Sequence, residues 1–341
     1  MERLIESTSS GLYCAAGDFF IDPWRPVARA LITHAHSDHA RPGHAAYLTA
    51  APGAPLVRER VGATVESIPY GERRRIGDAW VSFHPAGHMR GASQIRVEVR
   101  GRVSVVTGDF KRDADPTADL YEPLRCDELI MESTFALPIY QWPPVASVMD
   151  DLHAWWRENQ EASRTSVLLT YAVGKAQRLL AMLNPEIGPI LYHGAVERFV
   201  ELYRAAGVAL APARKAQAED AKALRGRALL IAPPSAQNTP WLRKWAPYSI
   251  GFASGWMRVR GARRRRGADR GFVISDHADW PALLQTIEES GAEWIGLTHG
   301  YGDALARYLR EQGRNADVLR TEFAGEDHEM KSEMPDASEP P

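Results

Sequence analysis

Residues 31–40 read LITHAHSDHA and place three histidines and one aspartate within six positions: His34, His36, Asp38 and His39. An apolar run at residues 28–32 precedes them, and a proline and a glycine interrupt the pattern soon afterwards. This order predicts a buried strand that ends in a loop leading into a helix. Imidazole and carboxylate ligands suit zinc or a similar first-row metal. The loop therefore predicts ligands for two neighbouring metal ions, with a polar loop of incidental histidines as the alternative.

Histidine or a carboxylate also follows other apolar segments of the chain, where strands are expected to end. Seven such ends are more than packing alone would produce, and besides the opening motif they carry Asp22, His88, Asp109, Glu132, His277 and His299. Asp109 follows a glycine and could bridge two metals through its two oxygens; an aspartate that caps a helix is the alternative. Glu132, beside two hydroxyl residues, repeats this arrangement.

Two further positions each have a competing neighbour. Asp22 follows an apolar triplet and could hydrogen-bond a ligand histidine and hold its ring, whereas Asp18 fits a turn better. His88 is favoured over His84 as a ligand, because the small residues before it let the backbone approach a metal. The expected cluster therefore includes Asp22 and His88.

The composition narrows the class of protein. With 341 residues and 45% hydrophobic content, the chain can bury a substantial core as one large domain or two. Two cysteines cannot form a disulfide framework, so we expect reduced thiols in a cytoplasmic protein. The first residues show no signal-peptide pattern, and no apolar run reaches the roughly 20 residues that span a bilayer. We therefore expect no membrane partner.

The charge is unevenly distributed along the chain. Residues 258–270 hold seven arginines and one aspartate, a local net charge of +6, whereas residues 325–341 carry −5. The basic segment predicts an anionic partner, with a solvated arginine loop as the alternative. Candidates for binding phosphate are Ser254, Gly255, Ser275, Arg263 and Arg264. The acidic tail, residues 326–341, is expected to be disordered.

Several longer motifs resemble one known superfamily. HAHSDH at residues 34–39, followed by His88 and Asp109, resembles the HxHxDH signature of the metallo-β-lactamase superfamily. Glu132 in MEST, His277 in ISDHAD and His299 in LTHG resemble three further motifs of its β-CASP branch, which are nucleases. GKAQRL resembles a helix of the domain inserted in that branch, and GDFFIDPW, GDFKRDADPT and SDHADW look most like bacterial ligase-associated DNA exonucleases. The resemblance covers roughly residues 10–325.

The resemblance implies an α/β fold, an αββα sandwich with an inserted α/β domain. The metallo-β-lactamase domain would comprise residues 1–140 and 271–325, and the β-CASP insert residues 141–270. It also implies two zinc ions, with manganese as an alternative. One metal would be held by His34, His36 and His88 and the other by Asp38, His39 and His299, with Asp109 bridging them.

The implied reaction is hydrolysis of a phosphodiester bond. Hydroxide activated by two metals and oriented by Asp38 would attack the phosphorus, and His277, held by Glu132, would protonate the leaving oxygen. His299 is typical of RNA-processing members, whereas the longer phrases favour single-stranded DNA, an ATP-dependent DNA ligase and a helicase as partners. A small-molecule metallohydrolase and a catalytically silent DNA-binding scaffold are the remaining alternatives.

Overall fold

The computed structural model describes residues 3–259, 261 and 266–323. These residues divide into two compact units. Unit 1 comprises residues 3–141 and 276–323, and unit 2 comprises the described residues between 142 and 275. Arg263, Arg264 and the tail at 326–341 lie outside the described residues.

The first sheet of unit 1 has six strands in sequential order. The first two pairings are antiparallel, and the third to sixth strands run parallel. Its strands are β1 (Glu6–Ser7), β2 (Leu12–Cys14), β3 (Phe19–Ile21), β4 (Ala30–Ile32), β5 (Tyr47–Ala50) and β6 (Glu66–Ile68). Strand β4 is the one predicted before the histidine motif.

The second sheet of unit 1 has seven strands, in the order β19-β18-β11-β10-β9-β8-β7. Strands β7 to β10 pair antiparallel, whereas β10, β11, β18 and β19 pair parallel. The strands are β7 (Arg74–Ile76), β8 (Ala79–Pro85), β9 (Ser93–Val99), β10 (Arg102–Val106), β11 (Glu128–Ser133), β18 (Trp294–Gly300) and β19 (Ala316–Val318).

Both sheets bury their inner faces in one apolar core. Phe19 and Leu31 of the first sheet belong to the same buried cluster as Phe83 and Ile95 of the second. Helix α1 (Ala54–Val61) packs on β5, and α7 (Trp280–Ser290) and α8 (Gly302–Glu311) pack on the second sheet. Unit 1 is therefore the αββα sandwich that the resemblance implies.

Unit 2 contains a third sheet, in which all the described strands run parallel in the order β14-β13-β15-β12-β16-β17. Parallel neighbours need crossover connections, which explains the alternation of strands and helices along this segment. The strands are β12 (Thr165–Leu169), β13 (Ile190–Tyr192), β14 (Ala213–Lys215), β15 (Leu229–Ala232), β16 (Tyr248–Ala253) and β17 (Arg270–Phe272). The helices are α2 (Val145–Glu161), α3 (Lys175–Met182), α4 (Gly194–Ala205), α5 (Asp220–Ala223) and α6 (Pro240–Arg243). The predicted α/β fold class is confirmed.

Local sequence signals predicted the hairpin turn between β9 and β10 correctly, but the helix predicted after the histidine motif is wrong. The predicted hairpin joins β9 to β10 through Arg100 and Gly101, which both have positive φ, as a tight hairpin turn requires. No helix follows the histidine motif, which was expected to lead into one. His39 and Ala40 donate backbone hydrogen bonds to the His36 carbonyl, which closes a single turn. The proline and glycine that follow end it there.

Two expected absences concern membranes and disulfides. None of the helices in the described ranges has the length and apolar character needed to cross a bilayer. Cys14 and Cys126 are both buried free thiols.

A glycine lets the loop after β10 approach the loop after β4. Gly108 has φ +56°, and a Cβ atom at this position would lie 2.7 Å from the Cβ of Thr33. Any larger residue would therefore push apart the two loops that carry Asp109 and His34. This close approach is a packing reason for the glycine before Asp109.

We predict that Gly108→Ala destabilises the protein more than Gly62→Ala does. Both glycines have positive φ, which costs an alanine about 1–2 kcal/mol. No atom lies within 4 Å of a Cβ at Gly62, whereas the clash with Thr33 adds about 1–3 kcal/mol at Gly108. Urea denaturation measures both free energies of unfolding. Equal losses in the two variants would contradict the close approach.

Candidate metal centre

The predicted site residues of unit 1 meet because strands deliver them to adjoining edges. Strands β3 and β4 are parallel neighbours, as are β10, β11 and β18, and the carboxyl ends of parallel neighbours lie on the same side. These ends carry Asp22, His34, Asp109, Glu132 and His299. His88 lies in the loop between β8 and β9, and His277 precedes α7. All seven side chains named here are buried or nearly so.

Asp109 lies at the centre of the cluster, and its two oxygens face different histidines. Oδ2 is 3.6 Å from His34 Nε2 and 3.9 Å from His88 Nε2, and that His88 nitrogen is 3.0 Å from His36 Nδ1. Oδ1 is 3.5 Å from His39 Nε2 and 3.3 Å from His299 Nε2. The carboxylate therefore separates two groups of potential ligands.

The second group also contains Asp38, whose Oδ2 lies 3.7 Å from His39 Nε2. Asp38 therefore adjoins the histidines that face Asp109 Oδ1. The first group is His34, His36, His88 and Asp109 Oδ2, and the second is Asp38, His39, His299 and Asp109 Oδ1.

The cluster has the chemistry of a divalent-metal site. His34 Nε2, His39 Nε2, His299 Nε2 and Asp109 Oδ1 are buried without a hydrogen-bond partner among the described residues. Burying a polar atom without a partner is costly, so a ligand of the opposite character is expected there. Two ligands on one tetrahedral zinc ion lie about 3.3 Å apart, close to the 3.0–3.9 Å spacings observed. The residues present therefore fit a pair of divalent cations.

Burial and neighbouring charges set the protonation of these groups. Burial holds the pKa values of His34, His36 and His88 below the usual histidine value, which favours the neutral imidazole that ligates metals. Burial opposes ionisation of Asp109, yet His39 and His277 hold the pKa of this carboxyl well below its usual value. Asp109 is therefore an anion.

Hydrogen bonds from outside the cluster orient two of the histidines. Asp22 Oδ2 lies 2.7 Å from His39 Nδ1, and the Asp22 carboxylate accepts hydrogen bonds from the backbone and hydroxyl of Thr33. The Thr33 hydroxyl is in turn 3.0 Å from His34 Nδ1. Each ring thus presents Nε2 to Asp109. The competing Asp18 contacts the hydroxyl of Tyr13 in an exposed turn instead.

His277 and Glu132 form a buried pair next to the cluster. His277 Nδ1 lies 2.8 Å from Glu132 Oε2 and 4.0 Å from Asp109 Oδ2. Glu132 also accepts hydrogen bonds from the Phe110 backbone and the Thr134 hydroxyl. Burial opposes a charge on His277, but the carboxylates of Glu132 and Asp109 raise its pKa to about 10. An imidazolium at this position can serve as a proton donor.

Of the remaining predicted residues, one has other partners in unit 1, three belong to unit 2, and Arg263 and Arg264 lie outside the described ranges. His84 contacts Ser82 and Glu122, at 3.0 Å and 3.1 Å, rather than the other histidines. Ser254 and Gly255 begin a short 3-10 helix in unit 2, where the Ser254 hydroxyl accepts a hydrogen bond from the Trp256 backbone. Ser275, also in unit 2, accepts one from Arg178 through its carbonyl. Phosphate binding stays a prediction for Ser254, Gly255, Ser275, Arg263 and Arg264.

Sequence patterns did not indicate three residues that support the cluster. The backbone carbonyl of Asp276 lies 2.7 Å from His88 Nδ1, and Thr33 joins Asp22 to His34. Phe323 stacks on His39, with ring centroids 4.6 Å apart and planes 8° from parallel. Thr33 and Asp276 adjoin motif histidines in sequence and could have been suspected. Phe323 stands outside every motif.

The chain is similar in sequence to several known proteins. No protein-family model matches the chain. The chain is 33% identical over 331 residues to a protein of Opitutus terrae named probable DNA ligase, a match covering 95% of this chain and 31% of that protein. It is 29% identical over 126 residues to an RNase J-like protein of Methanocaldococcus jannaschii, covering 35% of this chain and 29% of that protein. The chain thus spans about a third or less of the length of these relatives.

Two further comparisons concern an endoribonuclease and a solved structure. Endoribonuclease YSH1 of Gibberella zeae is 30% identical over 134 residues, covering 35% of this chain and 14% of that protein. A crystal structure of a protein of unknown function from Enterococcus faecalis matches with TM-score 0.57 and 13% identity, covering 87% of this chain and 80% of that one. The latter likeness concerns the fold alone. Together with the mixed α/β fold, these homologues support the placement of the chain in the β-CASP branch of the metallo-β-lactamase superfamily.

Proposed function

We propose that the chain is a metal-dependent nuclease that hydrolyses phosphodiester bonds in DNA. The observation that carries this proposal is the buried Asp109 carboxylate between two groups of histidines, with the His277–Glu132 pair beside it. We further propose that it removes nucleotides from the ends of single strands during repair, with an ATP-dependent DNA ligase. The relative named probable DNA ligase, aligned over 95% of this chain, supports the choice of DNA.

The proposed cofactors are two zinc ions, with manganese as an alternative. His34, His36 and His88 would hold one ion, and Asp38, His39 and His299 the other, with Asp109 shared between them. Two divalent ions would lower the pKa of a water molecule and offset the negative charge that develops on phosphate oxygens.

The residues of the chain would contribute orientation and proton transfer. Asp38 would orient the attacking water, and Asp22 would hold His39 so that Nε2 stays directed at the cluster. Glu132 binds Nδ1 of His277, which leaves Nε2 as the nitrogen that can donate a proton to the leaving oxygen. The same glutamate carries the negative charge that stabilises the imidazolium.

Residues other than the metal ligands and His277 would bind the phosphate backbone of the substrate. We propose Ser254, Gly255, Ser275, Arg263 and Arg264, because hydroxyls, backbone N–H groups and guanidinium groups are suitable donors to phosphate.

RNA is the second candidate substrate. Two of the relatives are named as an RNase J-like protein and an endoribonuclease, and each matches about a third of this chain. His299 in the last motif also favours RNA. A helicase partner and a cytoplasmic location belong to the same proposal as the ligase.

We predict that zinc or manganese stabilises the folded chain and that chelation reverses the effect. A ligand at 100 times its dissociation constant contributes about 2.7 kcal/mol to folding. Urea denaturation with and without the metal measures the gain. Asp109→Asn, which preserves shape but removes the shared charge, should lose most of the gain, whereas His153→Ala in α2 should keep it. Identical midpoints with and without metal would exclude the site.

We predict that His277→Ala lowers kcat by about 10²–10⁴-fold while metal content stays at the wild-type level. Glu132→Gln should give a smaller loss, since it can still bond His277 but no longer carries the charge. Single-turnover cleavage and elemental analysis give the two measurements. His153→Ala is again the matched control. A wild-type rate in His277→Ala would rule out this histidine as the acid.

We predict that end-labelled single-stranded DNA is shortened stepwise and that RNA of the same sequence is cut more slowly. Both strands are offered with a 5′-phosphate or a 5′-hydroxyl, in zinc or manganese, and product sizes are followed in time. Binding should weaken steeply as salt rises, because each neutralised phosphate releases counterions. Faster cleavage of RNA would support the second candidate, and internal cuts would replace the exonuclease by an endonuclease. Turnover of simple esters without cleavage of either strand would reject both.

A further inference from the structure

The second group of ligands is covered by the last described residues of the chain. The ring of Phe323 stacks on His39 and meets His299 edge-on, with centroids 5.8 Å apart and planes at 79°. Trp24 packs edge-on against the same ring at 5.5 Å. Phe323 is 9% exposed and belongs to the core of unit 1. It is therefore a fixed neighbour of two candidate ligands.

Hydrogen bonds attach this segment, residues 319–323, to both sheets of unit 1. Leu319 donates its backbone N–H to the carbonyl of Leu297, and the hydroxyl of Ser7 donates to the carbonyl of Arg320. The segment is thereby attached to β18, the strand that carries His299, and to the first strand of the other sheet.

Glu322, the residue before Phe323, connects the segment to the histidine loop. Its carboxylate pairs with Arg25 at 2.8 Å, and its carbonyl accepts a hydrogen bond from Arg41 at 2.9 Å. The same Arg41 donates to the carbonyl of Asp38. One arginine thus joins the covering segment to the loop that carries Asp38 and His39.

His299 differs from the other histidines in how its ring is oriented. The Nδ1 atoms of His34, His39 and His88 have hydrogen-bond partners in Thr33, Asp22 and the Asp276 carbonyl. His299 Nδ1 is buried and has no hydrogen-bond partner among the described residues. Packing must therefore orient this ring, and Phe323 supplies an aromatic face on one side of it.

We propose that Phe323 is a positioning residue for the second metal site and governs how firmly that ion is retained. This inference rests on the proposed metal pair. The ring limits rotation of His39 and His299, so that both Nε2 atoms stay directed at Asp109 Oδ1. It also excludes water from the apolar side of the ligands, and the apolar shell around a site controls solvent access to its metal.

The test is metal retention, measured without any substrate. Phe323→Ala is predicted to keep about one ion per chain after dialysis against a weak chelator, where the wild type keeps two. Transfer of the second-site ion to a chromogenic chelator should be about tenfold faster in Phe323→Ala than in the wild type. Tenfold is the lower end of the effect that supporting residues have on metal affinity. The ion assigned to His34, His36 and His88 should be released at the wild-type rate.

Further variants test whether the ion loss in Phe323→Ala acts through His299. His299→Ala should release the same ion, and the double variant His299→Ala/Phe323→Ala should lose nothing further. Tyr308→Ala removes an exposed aromatic ring elsewhere in unit 1, against Trp280, and should retain both ions. Phe323→Leu preserves apolar volume but not the stacked aromatic plane, so it should lose the second-site ion more slowly than Phe323→Ala. If Phe323→Ala does not fold, Phe323→Leu is used for the test.

The outcomes separate this inference from the proposed function. Wild-type retention in both Phe323 variants would overturn the positioning role and leave the metal pair intact. Equal loss of both ions would overturn it as well, since general loosening of the fold would explain that result. A wild-type chain that binds fewer than two ions would overturn the metal pair and this inference together.

Discussion

The buried carboxylate of Asp109 is the constraint on which the rest of the site depends. An ionised group inside a protein is costly unless opposite charges or metals surround it. Here imidazoles approach both oxygens, His34 and His88 on one side and His39 and His299 on the other. Imidazoles can approach both oxygens of Asp109 only if segments from both sheets end close together. The αββα sandwich provides that arrangement through its parallel strand ends.

Rigid elements and close backbone contacts hold the site together. Gly108 lets the loop after β10 approach Thr33, and Gly87 has φ +77° and leaves no room for a Cβ beside the Lys111 carbonyl. These glycines bring the loops of Asp109 and His88 within reach of the histidine motif. Asp22 and Thr33 then fix the rings by hydrogen bonds. A site held within about 0.5 Å needs such support from its surroundings.

The cluster and its neighbour divide the chemistry between them. Burial favours neutral nitrogen ligands at His34, His36 and His88, and Asp109 supplies a shared anion, whereas the carboxylates around His277 raise its pKa. Both are buried within unit 1, so a charge on one affects the other, as the influence of His277 on the pKa of Asp109 shows. Phosphodiester hydrolysis requires both an activated nucleophile and a proton for the leaving oxygen. The arrangement therefore supports the proposed hydrolysis, which has both requirements.

The sequence by itself determined the strand before the histidine motif and the hairpin of β9 and β10. It also singled out the histidines that lie around Asp109. These depend on local apolar patterns, turn residues and short motifs, which act within a few positions. Local pattern failed after the strand β4, where a single turn at residues 36–40 stands in place of the expected helix. Only the tertiary structure decided that the Asp276 carbonyl contacts His88 Nδ1, and that Phe323 covers the His39 ring. Such contacts join segments far apart in the chain, so they depend on how the two sheets pack, and local pattern contains no record of that packing.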